Sequence, residues 1–143
     1  MKSKLNKGLF TSDRPDWETP NDLFNKLNDE FHFTLDVCAL PNNTKCKQFY
    51  SPISDGLKQN WKGICWMNPP YGKEITNWIE KAHNEAQKGN CTVVALLPAR
   101  TDTRYFHNFI YGKYEIRFLK GRVKFVGGAS AAPFPSMIVI FKK

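Results

Sequence analysis

The sequence predicts an α/β fold, a mainly parallel sheet with a C-terminal antiparallel hairpin, in a single domain over 16–143 behind a flexible lead-in, 1–15. Three observations predict it. Short apolar runs bounded by turn residues, Gly63-Ile64-Cys65-Trp66-Met67 and the stretch 91–97, read as buried strands. Between them the chain repeats apolar residues at helical spacing. Strand-helix-strand order implies crossovers that keep successive strands parallel.

The elements follow in order. A helix over 20–30 carries Leu23, Phe24 and Leu27 on one face, with Thr19 as candidate N-cap and Pro20 at the first helical position. Phe33-Thr34-Leu35-Asp36-Val37-Cys38-Ala39 alternates like a strand near 33–38. An irregular stretch runs to 62, in which Lys45 to Tyr50 is either a shortened second strand or a loop. After strand 63–67, a helix of about 74–88 sets Ile75, Trp78, Ile79, Ala82 and Ala86 on one face and stops at Gly89. The strand at 91–97 ends at Pro98, and a helix near 102–111 leads to strands near 114–119, 122–126 and 136–141, the last two forming the hairpin.

Composition sets outer limits. With 143 residues, 41% hydrophobic and 14% aromatic, the chain suits one packed core and not a disordered segment. No apolar run approaches the ~18 residues of a membrane span. Lys2, Lys4 and Lys7 lead into polar residues rather than an apolar signal core, so a cytoplasmic protein is expected. Cys38, Cys46, Cys65 and Cys91 lack Cys-x-x-Cys spacing and read as reduced thiols rather than metal ligands, and no metal site is expected. Charge is segregated: residues 99–143 hold 9 Lys+Arg against 2 Asp+Glu and carry +7 of the +8 net charge. Arg100, Arg104, Lys113, Arg117, Lys120, Arg122 and Lys124 recur around Tyr105, Phe106, Phe109, Phe118 and Phe125, a mixture suited to nucleic-acid phosphates beside stacked bases. A solvated basic face over an aromatic core is the competing account.

The chemistry concentrates in Asn68-Pro69-Pro70-Tyr71, followed by Gly72, at the end of the predicted 63–67 strand. A parallel strand delivers such a loop to the carboxyl edge of the sheet, where open α/β folds bind ligands. Two prolines donate no backbone N–H, which leaves the carbonyls of Asn68 and Pro69 free to accept from a guest. A planar amino group fits: the Asn68 side-chain oxygen and a neighbouring carbonyl would take its two hydrogens, and Tyr71 offers a stacking face. A proline-rich turn with no further role is the competing account of the tetrapeptide alone.

Asn-Pro-Pro-Tyr-Gly after a strand resembles the catalytic loop of S-adenosylmethionine-dependent amino-methyltransferases. Trp-x-Thr-Pro at 17–20, Leu-Asp-Val-Cys-Ala at 35–39, Asp-Gly-Leu at 55–57, the proline loop and Leu-Leu-Pro-Ala-Arg at 96–100 follow the order of the phage-type DNA adenine-N6 methyltransferase (Dam-like) family, and the resemblance runs from Trp17 to Phe141. It implies a reduced Rossmann-like methyltransferase domain, encoded by a phage or prophage in a bacterial host. The implied reaction is methyl transfer to the 6-amino group of an adenine flipped out of double-stranded DNA. The catalytic residues would be Asn68, Pro69, Pro70 and Tyr71. Trp17, Thr19, Pro20, Asp36, Cys38 and Asp55 would contact S-adenosylmethionine. Tyr71, Arg100, Lys120, Arg122, Lys124 and Phe125 would meet the DNA, with Phe134 competing with Phe125 as the second base-stacking ring. Two departures stand beside this. The usual Gly-x-Gly turn is replaced by Ala39-Leu40-Pro41-Asn42-Asn43, and Asp55 is the one carboxylate between Asp36 and Glu74, so how the ribose is held stays open. A methyltransferase acting on RNA or protein glutamine, or a nucleic-acid-binding module without cofactor, shares these features. Monomer and homodimer are both open.

Overall fold

Five strands and two helices frame the molecule, in a computed structural model that describes residues 17–127 and 131–143. The predicted lead-in, 1–15, lies outside the described residues. In chain order these are α1 (Asn21–Phe31), β1 (Leu35–Asp36), β2 (Gly63–Met67), α2 (Ile75–Gln87), β3 (Cys91–Pro98), β4 (Glu115–Phe118) and β5 (Ser136–Phe141). The sheet order is β1-β2-β3-β5-β4. β1, β2 and β3 are parallel, with Asp36 opposite Trp66 and Met67 opposite Ala95. β5 then runs antiparallel to both β3 and β4, with Val94 opposite Ile140 and Phe118 opposite Met137. The sheet is therefore Rossmann-like in its parallel half, and the antiparallel pairing expected at the C-terminus is present.

That pairing uses a different strand from the one expected. The stretch 122–126 alternates correctly but, among the described residues, makes a single bridge, Glu18 to Val126, together with a bond from Ala132 N to Val123 O. The reason is combinatorial: a strand has two edges, and both edges of β5 are already taken, by β3 and β4. Residues 122–126 instead lie extended, with Arg122 and Lys124 exposed and Phe125 turned inward. The helix expected near 102–111 forms, but its centre, Phe106–Ile110, is wound as a π-helix, closed by Tyr111 N donating to Phe106 O at 2.7 Å.

Local sequence accounts for the rest. β3 reads as a continuous apolar run because it is covered on both faces; Val93 to Leu97 are fully buried. The predicted face of α2 is buried residue for residue, and Gly89 ends it at φ 84, a left-handed position that suits glycine. Beside β1, Asp36 N donates to Gln48 O and Tyr50 N to Asp36 O, so the undecided stretch 45–50 contributes one parallel bridge at the sheet edge. The buried hydrophobics, Trp17 to Phe141, form one contiguous core.

Candidate active site

β1 and β2 end side by side, and the loops that leave them enclose a cavity of about 480 Å³ at the carboxyl edge of the sheet. Trp17, Thr19, Asp36, Cys38 and Asp55, five of the six residues expected around a cofactor, line it, together with Asn68 and Pro70. Pro20 does not; its carbonyl accepts from Phe24 N at 3.1 Å and starts α1. Thr19 is correspondingly not the helix cap: the N-cap is Pro20, with no side-chain capping bond. The Thr19 hydroxyl faces the proline loop instead, where it accepts from Asn68 Nδ2.

Asp36 organises the cavity's rim. Its Oδ1 accepts from Cys38 N at 3.3 Å and its Oδ2 from Lys45 N at 3.0 Å, so one carboxylate ties both ends of the loop 38–45. Burial raises its pKa to about 6, against the opposing pull of those two N–H groups and the Lys45 charge. This loop replaces the missing Gly-x-Gly turn, and the close backbone approach occurs elsewhere. A Cβ at Gly56 would lie 2.2 Å from the Val37 carbonyl and 3.1 Å from the Trp78 ring, so glycine is required there by contact. Asp55 beside it is a non-glycine residue at φ 57, held by Leu57 N donating to its Oδ1 at 3.2 Å.

The lining also contains Glu18, Lys45, Glu74 and Trp78, which sequence reasoning missed. Glu18 and Glu74 adjoin recognised motifs, so proximity was an available signal. Trp78 was masked by its place on an apolar helix face, and nothing local marks Lys45. Among the described residues the wall carries four carboxylates, Glu18, Asp36, Asp55 and Glu74, and one lysine, Lys45. In a chain of net charge +8 this is an electronegative pocket, suited to a cationic guest.

Asn68 sits where β2 ends. Its Nδ2 donates to the Trp17 carbonyl and, at 2.9 Å, to Thr19 Oγ1. A carbonyl oxygen can only accept, so the nitrogen end of the amide must face Trp17. The oxygen end, Oδ1, is buried and has no hydrogen-bond partner among the described residues. No backbone N–H among them reaches the Pro69 carbonyl either. Two acceptors are thus left available on one rigid loop.

Tyr71 is 5% exposed and donates its hydroxyl to Leu96 O at 2.8 Å; burial pushes its pKa well above the ordinary phenol value. Phe125 and Phe134 both meet its ring edge-on, at 6.3 and 5.7 Å, and both meet Trp17 at 5.2 and 5.4 Å. The structure therefore brings the two competing phenylalanines into one cluster with Tyr71. The Arg100 guanidinium lies 5.7 Å over Phe134. Lys120, Arg122 and Lys124 are exposed on the neighbouring extended segment. Arg117 leaves the basic set: it pairs bidentately with Glu30 at 2.7 and 2.8 Å and with Glu115 at 2.7 Å. His32, His83 and His107 lie outside the cavity lining, and the four cysteines are free thiols.

Comparison with known proteins gives the chain's family. A family model described as DNA N-6-adenine-methyltransferase (Dam) matches residues 6–143. The chain is 32% identical over 140 residues to the DNA N-6-adenine-methyltransferase of Haemophilus phage HP1 (strain HP1c1), covering 92% of this chain and 80% of that one. It is 32% identical over 105 residues to the enzyme of the same name from Escherichia phage T1, covering 70% of this chain and 43% of that longer one. The match spans the cavity, the proline loop and the aromatic cluster together, and the chain belongs to the DNA N-6-adenine-methyltransferase (Dam) family.

Proposed function

We propose that the chain transfers a methyl group from S-adenosylmethionine to the 6-amino group of an adenine rotated out of duplex DNA. The observation that carries this reading is the unpartnered Oδ1 of Asn68, on an amide whose nitrogen is already committed to Trp17 and Thr19. A buried acceptor without a donor is costly, and an amino group is the guest that would satisfy it.

The cavity fits the cofactor in size and character. Its volume lies within the range of small-molecule sites. Leu40, Pro52, Leu57 and Trp78 offer apolar walls, and the four carboxylates suit a ligand bearing a sulfonium and an ammonium group. S-adenosylmethionine supplies an electrophilic methyl carbon when bound. Asp55 and the neighbouring carboxylates would hold its hydroxyl and amino groups, and Glu18 and Glu74 are two further candidates for the ribose acid that sequence spacing did not offer.

The chain's own contribution is orientation. The 6-amino lone pair is delocalised into the purine ring, so the nitrogen attacks well only when held out of plane. Asn68 Oδ1 and the Pro69 carbonyl would take the two amine hydrogens and stabilise positive charge as it develops on the nitrogen. Tyr71, with Phe125 or Phe134, would stack on the base. These rings pack on one another here, so the base enters by parting them. A base must leave the duplex for this, because a paired and stacked amine cannot be approached in line.

The test is digestion and mass spectrometry of duplex DNA incubated with protein and S-adenosylmethionine. N6-methyladenine is expected, and Asn68→Ala should lower turnover by about 10²–10³ with the fold intact. Methylation confined to RNA or protein, or an Asn68→Ala variant within a few-fold of wild type, would overturn the reading.

A further inference from the structure

An amide side chain is nearly symmetric in shape but not in chemistry. If Asn68 is to receive an amino group, its oxygen must face the substrate, and a flip would present a donor to a donor. Something must therefore fix its sense. We infer that Thr19 is a positioning residue for the reaction: the Trp17 carbonyl, which can only accept, sets the Asn68 amide with Oδ1 turned to the substrate amine, and the Thr19 hydroxyl, the second acceptor of Nδ2, holds it in that place. This rests on the reaction proposed above, and gives Thr19 a role distinct from the cofactor contact that its motif implies.

The geometry supports it in three ways. Both partners of Nδ2 come from one segment, Trp17 to Thr19, lying 51 and 49 residues earlier in the chain. Flipping the amide would set Oδ1 against the Trp17 carbonyl oxygen, two acceptors in contact, which makes the observed sense strongly preferred. Thr19 is 1% exposed and does not cap α1, so its hydroxyl has no helix-capping duty. The segment is itself fixed from outside. Val126 N donates to Glu18 O at 3.0 Å, and Lys45 Nζ lies 3.9 Å from Glu18 Oε2, while its other contact is Asn21 Oδ1 at 2.9 Å. The strap thus lines the cavity, touches the aromatic side through Trp17, and holds the catalytic amide between them.

The test compares Thr19→Val, which keeps the shape and removes the hydroxyl, with Thr19→Ser, which keeps the hydroxyl. Thr19→Val should lower kcat by about 10- to 10²-fold through loss of alignment, with KM for DNA and the calorimetric Kd for S-adenosylmethionine within about 3-fold of wild type by the same argument. Thr19→Ser should restore most of kcat. A second measurement uses neither substrate nor cofactor: the side-chain NH₂ signal of Asn68, assigned by its loss in Asn68→Ala, should show one hydrogen exchanging faster in Thr19→Val than in wild type. The inference is overturned if Thr19→Val turns over normally, if its defect lies equally in cofactor affinity, if Thr19→Ser is as impaired, or if the exchange is unchanged. The exchange arm decides on the amide lock even where wild type methylates no DNA adenine, the result that would instead remove the reaction proposed above.

Discussion

Tyr71 illustrates how a single side chain carries two duties. Its hydroxyl bond to Leu96 O anchors the ring under Phe125 and Phe134, so the residue that would stack on a base is also part of the core. Tyr71→Phe removes that donor and should lower stability by about 1 kcal/mol in a chemical melt, while preserving methylation, because the ring remains. Equal loss of activity in Tyr71→Phe and Tyr71→Ala would show that the hydroxyl, not the ring, is the functional group. Asp36 makes a prediction in pH. A carboxyl whose folded pKa, here about 6, lies above its unfolded value near 3.8 binds its proton more tightly in the folded chain. Its unfavourable contribution is therefore present at neutral pH and is relieved as pH falls through about 6. Wild type should gain about 1 kcal/mol relative to Asp36→Asn between pH 7 and pH 5 from this group. A difference that stays flat with pH would contradict the buried, ionised assignment.

Among the elements, the turn at 55–57 shows most plainly why local signals are insufficient. Gly56 reads in sequence as an ordinary turn glycine, yet its need for glycine comes from the Val37 carbonyl, just past β1, and the Trp78 ring of α2. Gly56→Ala should destabilise the fold by about 1–3 kcal/mol through overpacking, and should weaken S-adenosylmethionine binding because the turn carries Asp55 into the cavity. Calorimetry and thermal melting of one sample check both effects; normal cofactor affinity in a folded variant would uncouple this turn from the site. The same contrast separates 122–126 from 136–141. The first alternates and the second is a continuous apolar run, both patterns that strands adopt, but only the second pairs on both edges, and the first became the segment that presents Arg122 and Lys124.

Across the whole molecule, charge is divided between a basic surface and an acidic cavity. Each lysine or arginine that neutralises a phosphate contributes about −0.9 to the slope of log affinity against log salt on duplex DNA. Replacing Lys120, Arg122 and Lys124 with Gln should flatten that slope stepwise and leave S-adenosylmethionine affinity unchanged. Lys26 and Lys58, both exposed in the balanced part of the chain, serve as controls. Lys81 does not serve, because it pairs with Glu85 at 3.3 Å and lies over the Trp61 ring. Arg117→Gln should leave the slope unaltered, since its guanidinium is engaged by Glu30 and Glu115. A slope altered by Arg117→Gln but not by the triple replacement would relocate the DNA surface to the β4 side.

Sequence by itself determined what neighbours in the chain can determine. The helical face of α2, the buried runs at β2, β3 and β5, and the rigid proline loop at a strand end are all written within windows of a few residues, because periodicity and turn chemistry are local. Five residues that the motifs name, Trp17, Thr19, Asp36, Cys38 and Asp55, do line one cavity, and the charge asymmetry was legible through simple counting. What the tertiary structure alone decided depends on residues far apart: which strand completes the sheet, that Glu18, Lys45 and Glu74 join Asp36 and Asp55 around one cavity, and that Arg117 is paired. It also decided the sense of the Asn68 amide, since the carbonyl that fixes it arrives from 51 residues away. A hydrogen bond between distant segments leaves no periodic trace in either one, so it becomes visible only when the folded chain sets donor against acceptor.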